Sequence, residues 1–217
     1  MGDRKGLLFG KWRIAGIFAV WLVLAGVLYP APRAVAQGCA AVDVVVARGT
    51  GEPGYLGSAV GDPLYAQLQR RLPLSTSGYR VNYPADLTNV LSVGDGSGDL
   101  VAHVAGQAAA CPGQRFVLVG YSQGAVVVHT ALGTGITAPI PGAVRLDGAL
   151  GSRVAAVLLF GDPLRLAGTG VPGEYAARTA NYCAPGDPVC AGGLNPAAHV
   201  AYGGDFVAAA DFTANRL

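Results

Sequence analysis

An α/β fold with a parallel sheet is what this 217-residue chain predicts, on two observations. Short, strand-length apolar runs alternate with helix-patterned segments, the order that builds parallel sheets flanked by helices. The runs are apolar at consecutive positions rather than at every second one, as in strands covered on both faces.

The elements follow in order. Val42 to Ala47 is the first buried strand. Asp62-Pro63 reads as an N-cap followed by a proline at the first helical position, and Leu64 to Leu72 continues that helix until Pro73 stops it. Tyr79 to Tyr83 is a second, short strand. Asp99 to Ala110 has Leu100, Val104 and Ala108 on one helical face. Phe116 to Gly120 is the third strand, and Gln123 to Leu132 is the helix after it. Gly133 to Gly142, rich in Gly and Pro, is a surface loop. Val154 to Phe160 and Ala176 to Tyr182 are the last two strands, and Asp205 to Asn215 is the closing helix.

Residues 1–36 read as a secretion signal rather than part of the fold. Arg4, Lys5, Lys11 and Arg13 give a basic start, Ile14 to Leu28 an apolar stretch shorter than a membrane span, and Ala34-Val35-Ala36 a cleavage site ahead of Gln37. Removing the signal takes away five positive charges and one negative, turning the formal charge from +2 to −2. That excludes the basic field a nucleic-acid binder needs. The residues that remain suit one domain with a sizeable core. Cys39, Cys111, Cys183 and Cys190 all lie in it, and an even count behind a secretion signal implies disulfides. Of the three pairings, Cys183–Cys190 is favoured because its Pro/Gly loop folds back on itself, which leaves Cys39–Cys111. Closing these loops is worth about 2.5 and about 4.5 kcal/mol in the chain-entropy account. Zinc is a poor rival: the cysteines form no C-x-x-C pair and the histidines do not cluster.

The chemistry is carried by Gly120-Tyr121-Ser122-Gln123-Gly124, a G-x-S-x-G string between a strand and a helix. In that context the chain turns sharply and lifts the serine hydroxyl above the sheet edge, making Ser122 the candidate nucleophile. A serine needs a base, and histidine titrates in the right range. Of three histidines, His129 lies two turns along the same helix, about 10 Å away, and is expected to pack or to contact the surface. His103 precedes the serine, against the Ser…Asp/Glu…His order such elbows carry. His199 remains. The orienting acid then comes from Asp147, Asp162, Glu174 or Asp187. Asp187 is preferred to Asp162 because the Cys183–Cys190 ring and its two prolines would hold it rigidly. Gln123 and Thr50, the latter in Arg48-Gly49-Thr50-Gly51-Glu52, are placed to give the two N–H groups of an oxyanion hole. That loop lacks the spacing of a P-loop or dinucleotide fingerprint.

These residues together resemble the cutinases, most closely the cutinase-like secreted serine esterases of mycobacteria and related actinobacteria. Ala47 to Glu52, Gly120 to Gly124, Leu159 to Pro163, Cys183 to Cys190 and His199-Val200-Ala201-Tyr202 carry the resemblance. It implies an α/β-hydrolase fold with a central five-stranded parallel sheet and no large lid. It implies Ser122, Asp187 and His199 as triad, Thr50 and Gln123 as oxyanion hole, disulfides Cys39–Cys111 and Cys183–Cys190, and ester hydrolysis through an acyl-enzyme with no cofactor or metal. Some fungal members have serine where Thr50 stands. The expected partner is an ester or lipid substrate, met by a secreted monomer with passing contact to lipid surfaces or cell wall. Leu87, Val90, Val189 and Leu194 form either an acyl-binding rim or ordinary loop packing. A phospholipase A or thioesterase would share every motif; a non-catalytic lipid-binding or antigenic surface protein is the rival from another class.

Overall fold

Val42–Ala47 forms strand β1, and all six of its residues are buried. The computed structural model describes residues 38–217, so the expected signal lies outside the described residues. β1 pairs in parallel with β2 (Thr76–Arg80) on one side and β3 (Arg115–Tyr121) on the other. β4 (Val154–Phe160) and β5 (Thr179–Tyr182) continue the sheet beyond β3, giving the order β2-β1-β3-β4-β5, parallel throughout. This is the five-stranded parallel sheet expected of an α/β-hydrolase.

Each face of the sheet is covered, which is why the strand runs are apolar without alternation. On one face Val45, Leu118, Val157 and Leu159 meet helices α2 (Ser92–Ala110) and α3 (Gln123–Ala131) through Leu100, Val104, Val127 and Val128. On the other, Val44, Val46, Val119, Leu158 and Phe160 meet α1 (Gly61–Arg71) and α6 (Phe206–Ala214) through Leu64, Leu68, Phe206 and Ala210. Two single-turn helices, α4 (Gly148–Gly151) and α5 (Gly173–Ala176), lead into β4 and β5. The chain runs from β1 to one side of the sheet first and to the other side afterwards. The carboxyl ends of β1 and β3 therefore flank the crevice where α/β sheets place their ligands.

Four elements differ from the sequence reading. Asp62 does not cap α1: its carboxylate accepts the Leu56 N–H at 2.9 Å, and the helix starts at Gly61. Pro63 still falls in the first turn, where a missing N–H costs nothing. β2 begins three residues earlier than expected, because the polar stretch that starts at Thr76 is an edge strand; Ser77 is held there by its hydroxyl bond to Asp43, at 2.6 Å. α2 begins seven residues earlier, through Gly94, Gly96 and Gly98. β5 loses its first three residues to α5 and the turn after it, where buried Tyr175 takes the Arg178 guanidinium over its ring at 4.7 Å. The Gly133–Gly142 segment is a loop as expected, with one 3-10 turn at Gly135–Thr137.

Candidate active site

Ser122 lies between the end of β3 and the start of α3 with φ +54° and ψ −118°. A non-glycine residue there stores about 1–3 kcal/mol of strain, small beside the ~5–15 kcal/mol that holds a domain together. The fold enforces it. The Ser122 N–H is tied to Phe160 O of β4 at 3.0 Å. A side chain on Gly124 would lie 1.9 Å from Ala47 O, and one on Gly120 would lie 2.6 Å from Ala125 Cα. Both glycines of the motif are there so that helix and strands can close up under the serine.

His199 Nε2 is 3.0 Å from Ser122 Oγ, and His199 Nδ1 is 2.8 Å from Asp187 Oδ2. The imidazole is carried on a 3-10 turn, Pro196–Val200, started by Asn195, whose side chain accepts the Ala197 N–H at 3.2 Å. Its back rests near Tyr121, whose hydroxyl donates to His199 O at 2.7 Å. Asp187 is wholly buried. The Cys183–Cys190 disulfide closes the loop around it, with 5.8 Å between the Cα atoms, and Cys39–Cys111 is the second disulfide. Asp187 Oδ1 accepts Val189 N–H at 2.7 Å, and Oδ2 also accepts Tyr202 hydroxyl at 2.5 Å. Burial alone would raise this carboxyl's pKa. The donors from Tyr202, His199 and Val189 outweigh it and hold the group below the ordinary carboxylate range, so it stays anionic.

In the loop after β1 the N–H groups on either side of Thr50 are taken up within the protein. Gly49 N–H goes to Glu52 Oε2 at 2.7 Å, Gly51 N–H to Ala85 O at 2.9 Å, and Glu52 N–H to Gly49 O at 3.3 Å. Among the described residues, Thr50 N–H has no protein acceptor. Gln123 opens α3, so its N–H has no partner within the helix. Glu52 also takes Ala59 N–H at 2.6 Å and so clamps the loop from both sides. The Gln123 side chain donates to Asp86 O at 3.3 Å, tying the 85–91 loop to the elbow.

The other candidates have different work. His103 stands near the amino ends of the strands, bonded to Asp43 at 2.6 Å and stacked on Tyr79 with ring centroids 3.4 Å apart. His129, expected to pack or to touch the surface, is fully buried and bonded to Asp162 at 3.0 Å. Asp162 therefore faces His129 and not His199. Asp147 caps α4 through the Leu150 N–H at 2.7 Å, and Glu174 is exposed on α5. Sequence reasoning missed Glu52 as the loop clamp and Tyr202 as a donor to the acid. The only signal for Tyr202 is its place three residues after His199. Among the described residues no group of three or more His, Cys, Asp and Glu side chains gathers as a metal set.

The sequence pattern that defines the cutinase family matches residues 38–217. The chain belongs to the cutinase family. A carboxylesterase, Culp1 of Mycobacterium tuberculosis, is 40% identical over 221 residues, covering 94% of this chain and 95% of that one. A phospholipase, Culp4 of the same organism, is 36% identical over 228 residues, covering 96% of each. Among solved structures, a Trichoderma reesei cutinase bound to a phosphonate inhibitor superposes with a TM-score of 0.68 at 33% identity, over 82% of this chain and 76% of that one. This cutinase-family chain is a carboxylic ester hydrolase, and its candidate site lies at the crevice where the fold places ligands.

Proposed function

We propose that the protein is a secreted serine esterase acting on short- to medium-chain acyl or lipid esters, with cutin-like polyesters as a further substrate class. The observation that carries the reading is the unbroken hydrogen-bonded line from Ser122 Oγ through His199 to buried Asp187, at 3.0 and 2.8 Å. Ser122 Oγ attacks the ester carbonyl carbon while its proton passes to His199 Nε2. Asp187 holds the tautomer with the proton on Nδ1 and stabilises the imidazolium. Thr50 and Gln123 N–H groups bind the oxyanion. As the intermediate collapses, His199 gives its proton to the departing alcohol. It then takes a proton from water as that water attacks the acyl-enzyme, and returns it to Ser122 Oγ as the acid departs.

Exposed apolar side chains support an acyl-binding rim. Leu87 and Val90 stand on the loop that Gln123 ties down, and both are about three-quarters exposed; Leu194, on the approach to His199, is 97% exposed. Four cysteines in two disulfides accord with an oxidising compartment and with removal of residues 1–36. The protein is read as a monomer. The phospholipase name of one relative favours phospholipid as the second substrate class.

Turnover of p-nitrophenyl butyrate tests the reading. Ser122→Ala is expected to lower kcat by about three orders of magnitude or more and to abolish labelling by a fluorophosphonate probe. A variant that keeps most of its rate overturns the assignment. A panel of acyl chain lengths, phospholipids and acyl thioesters then separates esterase, phospholipase and thioesterase, and a protein inert to all of them is a binder.

A further inference from the structure

One fully buried charged cluster behind the catalytic histidine has no role in the reaction. Asp162 is 0% exposed and its carboxylate receives three donors: His129 Nε2 at 3.0 Å, Asn181 Nδ2 at 2.7 Å and Leu164 N–H at 3.0 Å. His129, equally buried, is fixed on its other nitrogen by the Thr134 hydroxyl at 2.9 Å. The cluster therefore joins α3, the end of β4 and β5 at one point. Replacing such a set whole by apolar residues of similar volume is commonly neutral or stabilising, so stability alone does not call for a polar cluster at this place. What a hydrogen-bonded carboxylate adds is direction: three bonds of fixed geometry leave the backbone around it one position.

That backbone touches the catalytic histidine. Gly161 precedes Asp162, has φ +55°, and is bonded by its N–H to Tyr182 O at 3.1 Å. A side-chain carbon added to Gly161 would sit 2.7 Å from His199 Cε1 and 3.0 Å from His199 Nδ1. The imidazole thus lies directly on the Gly161 backbone, with no room for a side chain between. The ring's hydrogen bonds are those to Ser122 and Asp187.

We infer that His129, Asp162 and Asn181 form a positioning cluster that fixes the Gly161 backbone as the floor under the His199 ring, and so sets the His199–Ser122 alignment. His129 and Asp162 are fully buried, so they act through the backbone and not on the ester. The inference rests on the triad reading above. Displacing a catalytic group by about 1 Å costs up to about a hundredfold in rate, so a small floor movement is sufficient to be measured.

The test compares His129→Leu, which deprives Asp162 of a donor, with His129→Gln, which retains one. His129→Leu is expected to lower kcat for p-nitrophenyl butyrate by about tenfold to a hundredfold with KM within about twofold of the parent. It should also shift or broaden the low-field proton resonance of His199 Nδ1–H, while His129→Gln recovers most of both. A folded His129→Leu with parental kcat and an unmoved resonance overturns the inference, whatever its melting temperature. If His129→Leu does not fold, Asn181→Ala on edge strand β5 removes a single donor, and the same kcat and resonance decide. Ser122→Ala, measured alongside, keeps the two readings apart. A dead Ser122→Ala beside a full-speed His129→Leu sinks the cluster alone, whereas an active Ser122→Ala sinks the triad.

Discussion

Tyr202 donates to Asp187 Oδ2, the same oxygen that faces His199 Nδ1. Its ring is packed edge-on against Phe160 and Tyr121, with centroids 5.6 and 6.1 Å away. Tyr202→Phe keeps that packing and deletes one of the bonds that hold the carboxylate anionic and aligned. We expect kcat to fall about tenfold with KM unchanged, read from steady-state ester hydrolysis. Glu52→Gln probes the other half of the site. The carboxylate accepts Gly49 and Ala59 N–H together, and an amide has only one oxygen to offer them. The loop loses a clamp, Thr50 N–H loses its aim, and kcat should drop about a hundredfold while the fold persists, by near-ultraviolet circular dichroism. The sequence shows why these two residues were harder to read than the triad. Ser122 stands in a motif and His199 is isolated by elimination among three histidines. A buried tyrosine that donates and one that only packs have the same spelling, and so do a clamping and a solvated glutamate.

At the scale of the element, α2 is where propensity and packing disagree. Gly94, Gly96 and Gly98 argue against a helix, yet α2 begins at Ser92. The helix lies against its neighbours so closely that larger residues do not fit. A side-chain carbon on Gly94 would lie 2.0 Å from Pro141 O, and one on Gly96 would lie 2.9 Å from Val127 Cγ2 and 3.1 Å from Tyr83. Tertiary contact overrides the local preference, and no reading of single-sequence pattern sees the contact. The long apolar strands β1 and β4 were legible to their end residues, because burial on both faces writes itself into consecutive positions. The edge strands β2 and β5, with no fully buried residue, were displaced or shortened. Two substitutions in one helix separate the effects. Gly106 of α2 is exposed with open space around it, so Gly106→Ala should stabilise by about 0.5–1 kcal/mol. Gly94→Ala meets a backbone carbonyl and should destabilise by about 1–3 kcal/mol. Urea unfolding of both reads the opposite signs.

For the whole molecule, the same buried carboxylates that order the site also set how the fold responds to acid. Asp187 and Asp162 are both fully buried, and for both burial would raise the pKa. In each case donors overcome that cost: Tyr202, His199 and Val189 for Asp187, and His129, Leu164 and Asn181 for Asp162. Both groups therefore sit below the carboxylate range in the folded state. In the unfolded chain an aspartate titrates near ~3.9. A group with a depressed folded pKa binds fewer protons when folded than when unfolded, so its contribution is whole above the unfolded value. It is lost as pH falls from there through the folded one. Asp162 follows the carboxyl end of β4 and is bonded to His129 and Asn181, while Asp187 lies in the loop after β5 and is bonded to the catalytic ring, so the loss should unfasten the site and the sheet edge together. Urea-unfolding free energy measured from pH 6 down to pH 2 is expected to fall steeply below about pH 4. Asp162→Asn, which cannot titrate, should start less stable at pH 6 and lose less over the same range. Parallel curves for parent and variant would mean that Asp162 carries no linkage, and that the acid sensitivity of the fold arises elsewhere.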